Sequence, residues 1–197
     1  GYTHGGAVYF ISGITDLTME DCVFSNNILE HSTGAYGGAI YLKSATRATF
    51  NRVVFNWNDA SYGGSIYMSS GSADVSYTDC KFGGNTATLS GGALVMWGCL
   101  NVDFIRSEFT DNSAVSYAGA LYVDTDMDTV TLENCTFARN SLSDDPSYGG
   151  GVYAWSSENL FLRNTIISEN TAAYGGGLYL GSCSVSVEMS DCIVDSN

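Results

Sequence analysis

The segment Gly37–Asn58, GGAIYLKSATRATFNRVVFNWN, carries the pattern that decides the fold. It opens on Gly-Gly-Ala-Ile-Tyr and closes on Phe-x-x-Asn, and both signatures recur along the 197 residues. The pentad starts at Gly5, Gly37, Gly63, Gly91, Ala118 (Ala in place of the first Gly), Gly149 and Gly175, at intervals of 32, 26, 28, 27, 31 and 26. The second signature runs from Phe24 to Asn27, Phe55 to Asn58, Phe82 to Asn85, Phe109 to Asn112, Phe137 to Asn140, Ile167 to Asn170 and Val194 to Asn197. The Phe position lies 18 or 19 residues after the pentad start in every unit, whereas the step from Asn to the next pentad varies from 5 to 10. One half of each unit is therefore rigid and insertions fall in one loop. A fixed period of this length marks a solenoid, in which each unit buries its apolar face only against its neighbours.

Alternation shows which side faces in. Val8/Phe10, Ile40/Leu42, Ile66/Met68, Leu94/Met96, Leu121/Val123, Val152/Ala154 and Leu178/Leu180 are apolar in every pentad strand, so that parity is core. A further pattern, Val75-x-Tyr77-x-x-Cys80-x-Phe82 and its equivalents, reads as two short strands broken by a two-residue corner. About three strands per turn, pairing in parallel about 4.8 Å apart, predict a rod of roughly 34 Å. Because parallel crossovers are overwhelmingly right-handed, the fold expected is all-β: a right-handed parallel β-helix of about seven turns, with residues 1–197 forming a single segment.

The alternating Gly37-Gly38-Ala39-Ile40 and Phe24-Ser25-Asn26-Asn27, or Gly91-Gly92-Ala93-Leu94 and Phe82-Gly83-Gly84-Asn85, resemble the repeats of the polymorphic outer membrane proteins of chlamydiae and of other secreted β-helix proteins. That resemblance implies an exported, extracellular or cell-surface shaft of adhesive or structural role.

Composition excludes several alternatives. At 45% hydrophobic and 14% charged the chain has material for a core, so disorder is not expected. A net charge of −14 repels phosphate backbones, which removes nucleic acid as a partner. No run approaches the roughly 18 apolar residues of a membrane span. Asn197 closes one unit, and Gly5 opens another at the spacing that separates Asn58 from Gly63, so copies or further repeats could continue the coil in phase. With no capping element at either edge, axial continuation as a longer shaft or a filament is expected.

Stacking gives each position a column. Asn27, Asn58, Asn85, Asn112, Asn140, Asn170 and Asn197 are expected to form an amide ladder, and the Gly pair to serve a tight corner with φ > 0 and a close approach between turns. Cys22, Cys80, Cys135 and Cys192 share an inward column at alternate units, about 9.6 Å apart and beyond bridging distance. Cys99 and Cys183 share another, three rungs apart, so all six are read as free thiols. Asp21, Arg52, Asp79 and Arg106 alternate in sign along a fourth column.

Eleven of the 13 Tyr fall in two columns. Tyr9, Tyr41, Tyr67, Tyr122, Tyr153 and Tyr179 have outward parity, interrupted by Val95, with Trp97 and Trp155 further along it. They are expected to form an exposed aromatic stripe, a lateral docking face for other copies, surface proteins or glycan. Tyr36, Tyr62, Tyr117, Tyr148 and Tyr174 precede the pentad at a corner that hides their direction. Ring packing between rungs is the purely structural account of both columns.

Catalytic signals are absent from the pattern. β-Helix lyases and hydrolases need convergent carboxylates with Arg, Lys or His in a walled cleft, and this chain has only His4 and His31, the latter beside Glu30 in a short excursion. No catalytic residue is expected. Asp124, Asp126 and Asp128 resemble the opening of a calcium loop but are followed by Thr129 and Cys135 where Gly and Glu belong; calcium there is the one cofactor the pattern suggests. Asn134-Cys135-Thr136 is a glycosylation sequon. Two functions remain: a non-enzymatic extracellular structural or adhesive shaft, and a polysaccharide-binding or polysaccharide-degrading β-helix fragment.

Overall fold

Each repeat begins where the backbone must turn left. In the computed structural model, which describes residues 3–29, 34–182 and 186–197, the first pentad position has φ of 58°, 68°, 62°, 66°, 74° and 60° at Gly5, Gly37, Gly63, Gly91, Gly149 and Gly175, and 53° at Ala118. The second glycine has another task. A Cβ on Gly38, Gly64, Gly92, Gly119 or Gly150 would collide with the carbonyl oxygen of the equivalent residue one turn on. One glycine thus makes the corner and the next lets adjacent turns touch.

The strands that follow pair in parallel across turns. A seven-stranded sheet contains Val23–Ser25, Val54–Asn56, Lys81–Gly83, Glu108–Thr110, Thr136–Ala138, Ile166–Ser168 and Ile193–Asp195. A six-stranded sheet contains Thr3–His4, Ala35–Tyr36, Asp59–Tyr62, Thr86–Ser90, Ser113–Ala114 and Ser141–Leu142. The pentad strands and the strands after them form the third side, a 14-stranded sheet, and merge into the single strands Leu121–Glu133 and Val152–Arg163. The register is that of the repeats: Ile40 pairs with Val8 and Ile66, and Phe55 with Phe24 and Phe82. The result is a three-sided parallel solenoid. Among the described residues the seven repeats give seven strands on the Phe side and six on the short side, which Thr171 and Tyr174 extend only by single bridges, so the coil has between six and seven turns.

Left-handed residues also make the other corners. Asp21, Arg52, Asp79, Arg106, Asn134, Asn164 and Asp191 take φ between 49° and 55° just before the Phe strand, and Asn26, Trp57, Gly84, Asp111, Arg139, Glu169 and Ser196 take 51–61° just after it. These short polar or surface-tolerant residues occupy columns where a β-branched side chain would be strained.

The core is a set of stacked columns. Phe24, Phe55, Phe82, Phe109 and Phe137 stack at centroid distances of 5.3, 4.9, 4.5 and 4.6 Å. Beside them Tyr77 lies between Phe50 and Phe104 at 4.6 and 4.8 Å, with its hydroxyl on Met68 Sδ at 3.0 Å. The described residues include no helix that is long and apolar enough to cross a membrane.

Candidate functional site

The asparagine column runs unbroken. Asn27 Nδ2 donates to Asn58 Oδ1 at 2.8 Å, and the same bond repeats from Asn58 to Asn85, Asn112, Asn140, Asn170 and Asn197 at 2.9–3.0 Å. Each interior amide also donates to the carbonyl of the Phe position one turn back, as Asn112 does to Phe82 at 2.9 Å, and accepts from a backbone N–H. Both donors and both lone pairs are consumed inside the wall. The column has nothing left for a ligand.

The cysteines are equally committed. Cys22, Cys80, Cys99, Cys135 and Cys192 are free thiols, and Cys183 lies outside the described residues, as do Glu30 and His31. Burial pushes the thiols of Cys80 and Cys135 up to about 11 and that of Cys99 up to about 12, so they stay protonated near neutral pH.

The corner columns hold ion pairs across turns. Arg52 Nε donates to Asp21 Oδ1 at 2.7 Å and Arg106 Nε to Asp79 Oδ1 at 2.8 Å. Two pairs escaped the sequence reading: Arg47 to Asp16 at 2.6 Å and Arg139 to Asp111 at 2.8 Å. Aligning units on the residue before each ladder Asn would have placed Arg139 above Asp111. The arginine bonds hold the carboxyls of Asp16, Asp21 and Asp79 below their usual range.

The three aspartates of the calcium-like run do not converge. Thr125 and Asp126 both have left-handed φ, 56° and 52°, which breaks strand parity there and turns Met127 into the core. Asp124 instead accepts the Tyr122 hydroxyl at 2.6 Å and the Thr125 hydroxyl at 3.2 Å. Among the described residues no group of three or more His, Cys, Asp or Glu is placed to hold a metal. Asn134 is exposed on its left-handed corner, with Nδ2 donating to Glu133 Oε1 at 3.3 Å.

The tyrosines build one face from two interlocked columns. Tyr41 stacks on Tyr67 at 5.6 Å, Tyr122 on Tyr153 at 5.0 Å and Tyr153 on Tyr179 at 5.4 Å. The column before the pentad also points outward: Tyr36 stacks on Tyr62 at 5.2 Å, Tyr117 on Tyr148 at 5.6 Å and Tyr148 on Tyr174 at 5.1 Å. The columns meet edge to face, Tyr36 on Tyr67 at 4.8 Å, Tyr117 on Tyr153 at 5.2 Å and Tyr148 on Tyr179 at 5.1 Å. This corrects the expected exposed stripe. Tyr41 and Tyr153 are only 8% and 7% exposed, and Tyr67, Tyr122 and Tyr179 are half-buried, because rings of the second column and neighbouring rungs cover them. Tyr9, Tyr117, Tyr174, Trp97 and Trp155 are what solvent meets. Burial and then the neighbouring phenols raise the pKa of Tyr67; at Tyr122 burial is followed by the bond to Asp124, and at Tyr153 by the charge of Asp124 and then the neighbouring phenols.

Three concavities lie along this face. His4, Tyr36, Tyr41, Lys43 and Tyr67 line the first, Tyr62, Tyr67, Val95, Trp97 and Tyr122 the second, and Tyr117, Tyr148, Tyr153, Trp155 and Tyr179 the third. Such walls offer flat π surfaces rimmed by hydroxyls.

A coil of parallel rungs around a stacked core defines the class: a parallel β-solenoid. Residues 6–197 match the family model of the right-handed β-helix region, and the chain belongs to that family. Its fold is similar to that of a solved structure, a "putative glycosyl hydrolase" from Parabacteroides merdae, with 14% identity, a TM-score of 0.50, and coverage of 80% of this chain and 76% of that one. At that identity the likeness concerns fold alone. No curated protein matches the sequence.

Proposed function

We propose that the chain is a non-enzymatic, extracellular β-helical shaft whose tyrosine face is its lateral docking surface. The observation that carries this reading is the face itself, an aromatic wall with three concavities, on a molecule whose Asn and Phe columns are occupied by one another. Contiguous aromatic surface of this kind marks interfaces. The repeats, resembling those of polymorphic outer membrane proteins, support a surface location.

A polysaccharide-directed reading is the second one. The aromatic lining favours it, because the C–H faces of sugars pack on electron-rich rings, and the fold is shared with a protein bearing a glycosyl hydrolase name. Incubating the purified chain with neutral and acidic polysaccharides, with and without calcium, separates the two. The shaft predicts no release of sugar products, and turnover refutes it. Sedimentation of the double variant Tyr117→Ser/Trp155→Ser, which alters exposed rings only, should show weakened lateral association with unchanged circular dichroism.

A further inference from the structure

Both tyrosine columns lose their ring on the same rung. Ser90 lies in register between Tyr62 and Tyr117, and Val95 between Tyr67 and Tyr122. Below this rung the rings stack as Tyr36–Tyr62 and Tyr41–Tyr67, and above it as Tyr117–Tyr148 and Tyr122–Tyr153. Among the described residues no ring contact spans the gap. Flanking rings of one column are two rungs apart, about 9.6 Å at about 4.8 Å per rung, which is the room one further ring would take in this ladder. The space is the second concavity, ≈ 330 Å³, lined by Tyr36, Tyr62, Tyr67, Val95, Trp97 and Tyr122, with Val95, 1% exposed, as its closed floor and Trp97, 42% exposed, at its rim. That volume is at the small end of ligand pockets.

Charge narrows the occupant further. No Lys or Arg lines the gap, whereas Asp124 stands in register beside Trp97 and holds the Tyr122 hydroxyl at 2.6 Å. Electron-rich Tyr and Trp faces attract cations, and a carboxylate at the edge adds to that attraction. The whole chain, at −14, disfavours anions.

We propose that the vacant fourth rung of the tyrosine ladder is a binding slot for a small arylalkylamine, whose flat ring completes the stack while its ammonium group meets Asp124. The slot rests on the reading of this face as a binding surface, and names one ligand class for it. A ring lying between Tyr67 and Tyr122 restores the contacts that every other rung of that column makes. The selectivity follows from Asp124, since the same ring carrying a carboxylate would meet like charge.

The test uses the whole chain, tryptamine as probe and indole-3-propionate as the same ring with opposite charge, read by calorimetry and by the tryptophan-region NMR signals. Tryptamine should bind saturably below about 1 mM and the anion about tenfold more weakly, a difference of about 1.4 kcal/mol. Val95→Tyr puts into the gap the ring that its column carries on other rungs; it should keep the circular dichroism and abolish binding. Trp97→Ala, at an exposed position, should weaken tryptamine at least about fivefold even if Val95→Tyr fails to fold. Asp124→Asn should bring the two probes to similar affinity. Absence of saturable tryptamine binding, wild-type binding by a folded Val95→Tyr or by Trp97→Ala, or an unchanged probe preference in Asp124→Asn overturns the slot. Because Val95→Tyr leaves Tyr117 and Trp155 in place, lateral association that persists while tryptamine fails sinks the slot alone; polysaccharide turnover sinks the shaft reading alone.

Discussion

At the residue scale the two glycines of the pentad are under different constraints, and substitution separates them. Ala118 holds the first-glycine position with φ 53°, a left-handed conformation that costs an L-residue about 1–2 kcal/mol. Ala118→Gly is expected to stabilise the protein by about 1 kcal/mol, a rise in Tm of about 2–4 °C for a chain of this size. Gly92 holds the second position, where a Cβ would collide with the Gly119 carbonyl oxygen of the next turn. Gly92→Ala must push two backbones apart, and thermal unfolding should show a loss of about 2–3 kcal/mol. Equal effects of the same sign would contradict the division of labour.

At the element scale the columns behave as continuous rods. Asn112 sits mid-ladder, donating to Phe82 O and Asn140 Oδ1 and accepting from the backbone and side chain of Asn85, all buried. Asn112→Ala leaves several of these partners unpaired, and with about 1–3 kcal/mol per buried orphan group urea denaturation should register a loss of at least about 3 kcal/mol. The tyrosine columns make stability depend on alkaline pH. Burial raises the pKa values of Tyr67, Tyr122 and Tyr153 above the unfolded value of about 10, so the stability they contribute is complete below about pH 10 and is lost as pH climbs toward their folded values. Absorbance titration at 295 nm should find fewer phenolates at pH 11 in the native chain than in urea, with an unfolding midpoint that falls between pH 9 and pH 11. Coincident native and unfolded titration curves would remove this contribution.

For the whole molecule, a solenoid has only nearest-neighbour contacts, so stability is graded along the axis. The rungs holding Leu94 and Leu121 are covered on both sides, and their core side chains are fully buried, whereas Leu180, Met189 and Val194 on the last rung are exposed at core positions. Hydrogen exchange should be slowest in Leu94–Trp97 and fastest in Leu178–Gly181 and Ser186–Ser190. Uniform protection along the axis would show instead that the coil opens as one unit. Surface charge adds little to this gradient, because the arginine–aspartate pairs stand at exposed corners where water and salt screen them.

How much was legible beforehand follows from what repetition encodes. The spacing of the pentads and of the Phe-x-x-Asn signatures gave the parallel coil and its register, since stacking turns the same sequence position into a column: Asn58 above Asn27, Phe55 above Phe24, Arg52 beside Asp21. The direction of a side chain at a left-handed corner is not a matter of parity, so Tyr36 and Tyr117 could not be aimed from sequence; in the structure they lean over Tyr67 and Tyr153, and Tyr117 takes the exposed position that Tyr153 was expected to hold. The same kind of bend at Thr125 and Asp126 keeps the three aspartates apart. The gap on the fourth rung shows both limits at once. Val95 was visible as a break in one column, and Ser90, the residue before the same pentad, marks the break in the other; that the two breaks open one concavity with Trp97 in its lining is decided by the folded side chains. Periodic spacing determines which residues stack; only the folded corners decide which of them water, or a ligand, can reach.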